Sequence, residues 1–304
     1  MSENIRRPVG IFGAAMDLGQ NRRGVDMGPS AIRYARFHET LEELGYAVTD
    51  FGNARTPIPE TVEGNGNPQR LGAIREVCSE IAGETKKMVA DGLFPIILGG
   101  DHSVSIGTAS GAASAGRTGI IWLDAHADFN TPETSPSGNV HGMPLATLAG
   151  RGYPDLVSIG GEGAKVRPED VVIIGLRSVD ADEQKLLRED GVSVYTMKEI
   201  DAYGVARVVR RAIEDLSHLD RVHLSFDLDA LDPEIAPGVG TPVRGGLSYR
   251  EAHLVMELAN EAGIITSLDV VEVNPILDSK NGTAELAVEL VASLMGRQII
   301  DLPR

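Results

Sequence analysis

The sequence predicts a three-layer α/β fold, with a mostly parallel central sheet and helices on both faces. Three observations carry that prediction. Short apolar runs alternate with longer helical patterns along all 304 residues. The Gly- and Pro-rich stretches 56–68, 130–142 and 232–246 fall between those runs and read as loops. No internal repeat and no linker interrupts the alternation, so residues 1–304 read as a single catalytic domain.

In chain order, a strand is expected over VGIF at 9–12, then a helix at 29–44 and a strand at 47–51. A long helix follows at 68–91, where Ile74, Val77, Cys78 and Ile81 recur at helical spacing and belong to the core. The runs FPIIL at 94–98 and GIIWL at 119–123 are strands on either side of a helix at 103–115. Strands at 171–174 and 193–195 then alternate with helices at 182–190 and 202–216. The strand at 221–226 precedes a helix at 248–261, which Ser248 and Glu251 open as a capping box. A strand at 264–271 and a helix at 283–295 complete the pattern.

Composition narrows the function. A 42% hydrophobic content suffices for a sizeable core. The net charge of -16 argues against a nucleic-acid partner, which needs clustered Lys and Arg, and fits attraction of cations. Cys78 is the single cysteine, so no intrachain disulfide forms, which suits a reducing cytosol. The first residues lack the apolar core of a signal peptide. No run approaches the roughly 18 apolar residues of a membrane span. The expectation is a cytoplasmic enzyme with no membrane partner.

Ligands of open α/β sheets bind at the carboxyl ends of the strands, and three polar clusters fall there. Gly99-Gly100-Asp101-His102 follows the strand at 94–98, with glycines that permit a sharp turn. Taken alone, a histidine in the place of His102 is more often structural than a ligand. Asp124, His126 and Asp128 follow the strand at 119–123, spaced two apart. Alternate residues of an extended segment point to one side, so the three side chains converge. Asp227 and Asp229 share a parity at the end of the strand at 221–226. Two such carboxylates repel unless one is protonated or a cation lies between them. His223 sits earlier in that strand and reads as a satisfied core residue. Four Asp and two His exceed one tetrahedral zinc. Oxygen-rich sites with some imidazole favour a harder ion such as Mn²⁺. Two ions sharing carboxylates would use all six side chains and acidify a water into a nucleophile.

The motifs GGDHSVSIG, WLDAHADFNTP, SGNVHGMP, LSFDLDALDP, GTPVRGGLSYRE and LDVVEVNP resemble the arginases, a branch of the ureohydrolase family. The resemblance runs in order from Gly24-Val25-Asp26-Met27 to the last helix, and the Ser137-Gly138-Asn139-Val140-His141-Gly142 loop marks the arginase branch. It implies the fold shared by arginases and deacetylases and two Mn²⁺ per chain. One ion would be held by His102, Asp124, Asp128 and Asp227, the other by Asp124, His126, Asp227 and Asp229. The reaction implied is hydrolysis of L-arginine to L-ornithine and urea by a metal-bridging hydroxide that Asp128 hydrogen-bonds. His141 would shuttle protons, and Glu272, with Thr241 close by, would pair with the guanidinium. Asn130, Ser137 and Asn139 would take the α-carboxylate, and Asp180 and Glu183 would face the α-amino group. The family also implies a homo-oligomer, trimer or hexamer. Ser178 and Ala127 depart from its commonest residues, an acidic one and Thr. The runner-up is an agmatinase or another guanidino-acid ureohydrolase. A one-zinc deacetylase fits the doubled Asp sets less well, and an inactive metal-stabilised binding protein fits His141 and Glu272 less well.

Overall fold

The apolar runs form eight strands: β1 Val9–Gly13, β2 Val48–Asn53, β3 Phe94–Leu98, β4 Gly119–Leu123, β5 Val171–Leu176, β6 Ser193–Thr196, β7 Val222–Asp227 and β8 Ile265–Val271. They are seen in a computed structural model that describes residues 6–62 and 67–300, with side chains from residue 70 in the second stretch. The helices are α1 Gly28–Tyr34, α2 Phe37–Glu43, α3 Asn67–Ala90, α4 Ser105–Ala112, α5 Pro144–Leu148, α6 Pro154–Val157, α7 Ala181–Asp190, α8 Met197–Tyr203, α9 Val205–Asp215, α10 Tyr249–Ala262 and α11 Gly282–Leu294. Part of the loop expected over 56–68 lies outside the described residues.

The strands join one sheet in the order β2-β1-β3-β8-β7-β4-β5-β6. Every pairing between them is parallel. The predicted three-layer architecture is therefore observed, with the sheet wholly rather than mostly parallel. Strands β3, β4 and β7 are buried along their length, whereas the edge strand β2 is mostly exposed. Near-continuous apolar sequence is what a strand covered on both faces requires.

Alternate strand residues supply the two faces. On one, Ile96, Leu98, Leu224 and Leu268 pack with Phe37 and Leu41 of α2, Val208 of α9, Val255 of α10 and Leu290 of α11. On the other, Ile97 and Val271 meet Ile74, Val77, Cys78 and Ile81 of α3 and Ile106 of α4. Farther along that face, Trp122 and Ile173 meet Leu145 of α5 and Leu187 of α7.

Two expected helices are broken. The helix expected over 29–44 splits because Arg36 adopts φ 65°, and the one over 202–216 splits at Gly204, φ 81°. The second break leaves α8 as a separate helix with its own capping box, Thr196 and Glu199. The short helices α5 and α6 were not expected; each begins at a proline, whose fixed φ suits a first helical turn.

The start of β5 is tied to its surroundings by Asp170, a buried carboxylate bonded to Arg117 Nε at 2.6 Å and His218 Nε2 at 2.9 Å. Burial pushes its carboxyl up, but the Arg117 and His218 bonds outweigh it and hold the group below its ordinary range. A carboxyl depressed in the native state stabilises above its unfolded pKa, about 4, and that contribution disappears as pH falls through the lowered native value. Asp170→Asn is thus expected to lower the thermal midpoint by a few degrees at pH 7, the gap narrowing toward pH 3; a gap independent of pH would contradict the assignment.

The sheet order sets the site. The chain leaves β3 and enters β4 three strands away, with β8 and β7 between them. The carboxyl ends of β3, β8, β7 and β4 therefore lie side by side at a topological switch point, where open α/β sheets bind ligands.

Candidate metal centre

Each of these four strand ends delivers chemistry. After β3 comes the 3-10 turn His102–Val104, capped by Asp101, whose carboxylate accepts the amides of Ser103 and Gly19. Neither Gly99 nor Gly100 takes a positive φ, so the expected sharp left-handed turn is not the reason for glycine. The reason is close approach: a Cβ on Gly100 would occupy the Met16 carbonyl, and one on Gly99 would come 2.6 Å from Val271.

After β4, the convergence of Asp124, His126 and Asp128 is as expected, but strand pleating does not produce it. The chain bends directly after Leu123, and Asp128 sits at φ 50°. A left-handed non-glycine residue costs about 1–3 kcal/mol and persists where surroundings enforce it. Here the Asp128 carbonyl accepts the amides of Leu145 and Ala146 at the start of α5. After β7, Asp227 closes the strand, and its Oδ1 accepts the Asp229 amide at 2.7 Å. Asp229 thus stands in a 3-10 turn, Leu228–Ala230, not in extended chain. Arg177 holds that turn by donating to the carbonyls of Asp229, Ala230 and Leu231.

The six side chains meet. His102 Nδ1 lies 3.1 Å from Asp124 Oδ2, 3.0 Å from Asp128 Oδ2 and 3.1 Å from Asp227 Oδ2. That nitrogen is buried and makes no hydrogen bond. His126 Nδ1 lies 3.0 Å from Asp229 Oδ2 and 3.5 Å from Asp124 Oδ1. Two metal-competent sets result, His102 with Asp124 and Asp128, and Asp124 with His126 and Asp229. They share Asp124, and Asp227 adjoins the first. Trp122 supports both: its ring stacks on His102 at 4.0 Å and its Nε1 donates to Asp124 Oδ2 at 2.9 Å.

The electrostatics call for added positive charge. Burial, with the neighbouring Asp229 and Asp124, pushes the Asp227 carboxyl well above its ordinary range. Burial and Asp124 push Asp128 up to about 6 and raise Asp229 as well. Burial disfavours the His126 cation, but Asp229 and Asp124 outweigh it and push the imidazole up to about 12. Three carboxyls driven toward neutrality, with Asp124 held low against its burial by His102 and His126, beside imidazoles driven toward the cation, mark a cluster short of cations. Divalent ions supply that charge and displace those protons. The oxygen-rich donor set fits a hard ion.

A cavity of about 300 Å³ opens over this cluster. It is lined by all the sequence-predicted site residues except Asp124, Asp229 and Glu272, which are fully buried. Glu272, after β8, sits at φ 63° and carries no exposure. Its Oε1 accepts the His102 amide at 3.0 Å and faces His141 Nδ1 at 3.1 Å, and its Oε2 accepts from Gln20 at 3.1 Å. Burial pushes its carboxyl up, but His141 and His102 hold it below its ordinary range.

At the mouth, Asn130 Nδ2 donates to Asp180 Oδ2 at 3.1 Å, and Ser137 Oγ accepts the Asn139 amide. Glu183 is buried, accepts the Phe129 and Asp180 amides as the capping partner of α7, and is pushed by burial up to about 7. Thr241, expected beside Glu272, spends its hydroxyl on Asp229 Oδ2 at 2.9 Å; it is the adjacent Gly240 that approaches Glu272, where a Cβ would come 2.6 Å from Oε2. His223 is fully buried and satisfied by Ser267 and Asp269, as its core reading expected. Sequence reasoning missed Gln20, Trp122, Arg177, Ser225 and Ser135. Only Trp122 carried a nearby signal, standing two residues before Asp124 in an otherwise aliphatic strand.

Comparison with known proteins gives the family and the fold. Residues 7–296 match the arginase family. The arginase of Bacillus subtilis (strain 168) is 52% identical over 298 residues, 97% of this chain and 99% of that protein. The crystal structure of arginase from Bacillus caldovelox superposes with a TM-score of 0.94 at 52% identity, over 97% of this chain and 100% of that one. The Entamoeba histolytica arginase, solved in complex with L-ornithine, superposes with a TM-score of 0.88 at 32% identity, over 96% and 99% of the two chains.

Proposed function

The chain belongs to the arginase family and is a hydrolase of that family, and from this premise we propose that it hydrolyses L-arginine to L-ornithine and urea with two Mn²⁺ ions. The observation that carries the reading is the unpaired Nδ1 of His102 among three carboxylate oxygens, next to a second set that shares Asp124. His102, Asp124, Asp128 and Asp227 would hold one ion, and Asp124, His126, Asp227 and Asp229 the other. An ion pair there acidifies water and neutralises the charge that develops during attack.

The chain's own groups do the rest. Glu272, buried and bonded to the cavity-wall residue His141, would pair with the guanidinium by a charge-assisted contact. Asp128 accepts a hydrogen bond from the attacking water and orients it toward the guanidinium carbon. As the new C–O bond forms and the C–N bond to the ornithine nitrogen breaks, the water gives up both its protons, its oxygen becomes the urea carbonyl, and the departing nitrogen takes both to leave as an ammonium, the second by relay. His141, on the cavity wall and bonded to Glu272, delivers it. Asn130, Ser137 and Asn139 take the α-carboxylate, Asp180 and Glu183 face the α-amino group, and Thr241 steadies Asp229. The L-ornithine in the Entamoeba relative is the product this reaction would leave. The second reading, a ureohydrolase for another guanidino compound, rests on Ser178 in the cavity lining.

The proposal is tested by stripping metal, restoring Mn²⁺, Zn²⁺ or Ni²⁺, and following urea release over a panel of guanidino compounds. His141→Asn is expected to slow turnover at least about tenfold, a typical share for one proton-transfer group, with metal content unchanged. Full activity in that variant would remove the role of His141.

Among the described residues no helix is long and apolar enough to cross a membrane. We place the enzyme in the cytoplasm as a trimer or hexamer, on the strength of the single buried thiol and of the family.

A further inference from the structure

Beneath the metal centre, strands β7 and β8 carry four polar side chains inside the sheet. His223 and Ser225 on β7 pair in register with Ser267 and Asp269 on β8. None is more than 1% exposed. Burying such groups is costly unless every donor and acceptor is matched. They match one another and two outside groups. Ser225 Oγ lies 2.7 Å from Asp269 Oδ1, 2.8 Å from His102 Nε2 and 3.2 Å from Ser105 Oγ. His223 Nε2 lies 3.1 Å from Asp269 Oδ2, and His223 Nδ1 lies 2.9 Å from Ser267 Oγ.

The proton inventory of this network has one solution with every group satisfied. A carboxylate only accepts, so the single hydrogen of Ser225 goes to Asp269. The Ser225 oxygen then accepts from Ser105 and from His102, which fills both its lone pairs. His102 must therefore carry its proton on Nε2. In the neutral ring, the form that binds an ion, the lone pair is then on Nδ1, the atom that faces three carboxylate oxygens. On the other branch, His223 donates through Nε2 to Asp269 and accepts from Ser267 at Nδ1.

We propose that Ser225 and Asp269 are positioning residues for the metal centre, which fix His102 in the tautomer that presents Nδ1 to an ion. The proposal rests on the two-ion reading above. His126, a quarter exposed on a bend beyond β4, is outside the network, so the effect is confined to one ion. Groups that orient a ligand imidazole in this way are worth roughly 10–100-fold in metal affinity.

The test is calorimetric titration of metal-stripped full-length chain with Mn²⁺. In Ser225→Ala, one of the two binding events is expected to weaken about 10–100-fold and the other to stay unchanged. Asp269→Asn, whose amide no longer compels the Ser225 hydrogen toward it, weakens the same event by a smaller factor. Ser267→Ala removes a hydrogen bond of equal burial at the far end and leaves both events as in the parent; circular dichroism of the metal-free proteins checks their folding. The proposal is overturned if Ser225→Ala and Asp269→Asn bind both ions as tightly as the parent. It is equally overturned if Ser267→Ala weakens binding as much as they do, which is the signature of a merely structural role. Fewer than two ions on the parent chain would remove the two-ion reading, and this proposal with it.

Discussion

Arginine is expected to be hydrolysed with a kcat/KM about 10⁴-fold above that for agmatine, which lacks only the α-carboxylate. The reason lies at the cavity mouth. Ser135 Oγ accepts the Gly138 amide at 3.0 Å, and Ser137 Oγ accepts the Asn139 amide at 3.1 Å. The two hydroxyls also lie 3.5 Å apart, so one hydrogen can bridge them while the other is left to donate to an anion. The loop is braced further by Thr134, which donates to Asn130 Oδ1, and by Asn130, which donates to Asp180. A substrate without the carboxylate makes none of these contacts, and a site built to hydrogen-bond a group rejects analogues that lack it. Urea release measured over both substrates decides the matter. Equal rates, or a preference for agmatine, would overturn the assignment of Asn130, Ser137 and Asn139.

The second large effect is expected at Asp227. Asp227→Asn keeps the side-chain shape but leaves an acceptor and a donor where two acceptors stood. Its Oδ1 already caps the turn that carries Asp229, and its Oδ2 faces His102. The variant would therefore weaken the side chain proposed to hold both ions and would alter the cap of the turn that carries Asp229. Urea formation is expected to fall about 10³-fold or more, on the order of 4 kcal/mol of transition-state stabilisation. The metal-free protein should fold no worse than the parent, because the substitution relieves a buried carboxyl that its neighbours repel. Turnover within tenfold of the parent would show that Asp227 is not a ligand of the reacting centre.

The sequence displayed the site better than it displayed the helices. His102, Asp124, His126, Asp128, Asp227 and Asp229 each follow an apolar strand, and a carboxylate at such a position is conspicuous because its burial needs a partner. The breaks in the helices turn on single residues. Arg36 takes a left-handed conformation that no residue-type preference announces, whereas Gly204 was a visible interruption. The pleating argument for Asp124, His126 and Asp128 reached the right convergence for the wrong reason, since the bend at Asp128 is enforced from α5. The supporting partners were not legible. Gln20 meets Glu272 across 252 positions, and Ser225 meets His102 across 123. Such pairings exist only once β3, β8 and β7 lie side by side. Thr241 illustrates the same limit, because it was expected beside Glu272 and its hydroxyl bonds Asp229 instead.

The most direct test is the manganese content of the purified full-length chain after loading with excess Mn²⁺ and removal of free ion. Two bound ions per chain, with fewer on Asp227→Asn, is the expected result; one ion or none on the unaltered protein would contradict the cation pair on which the chemistry depends.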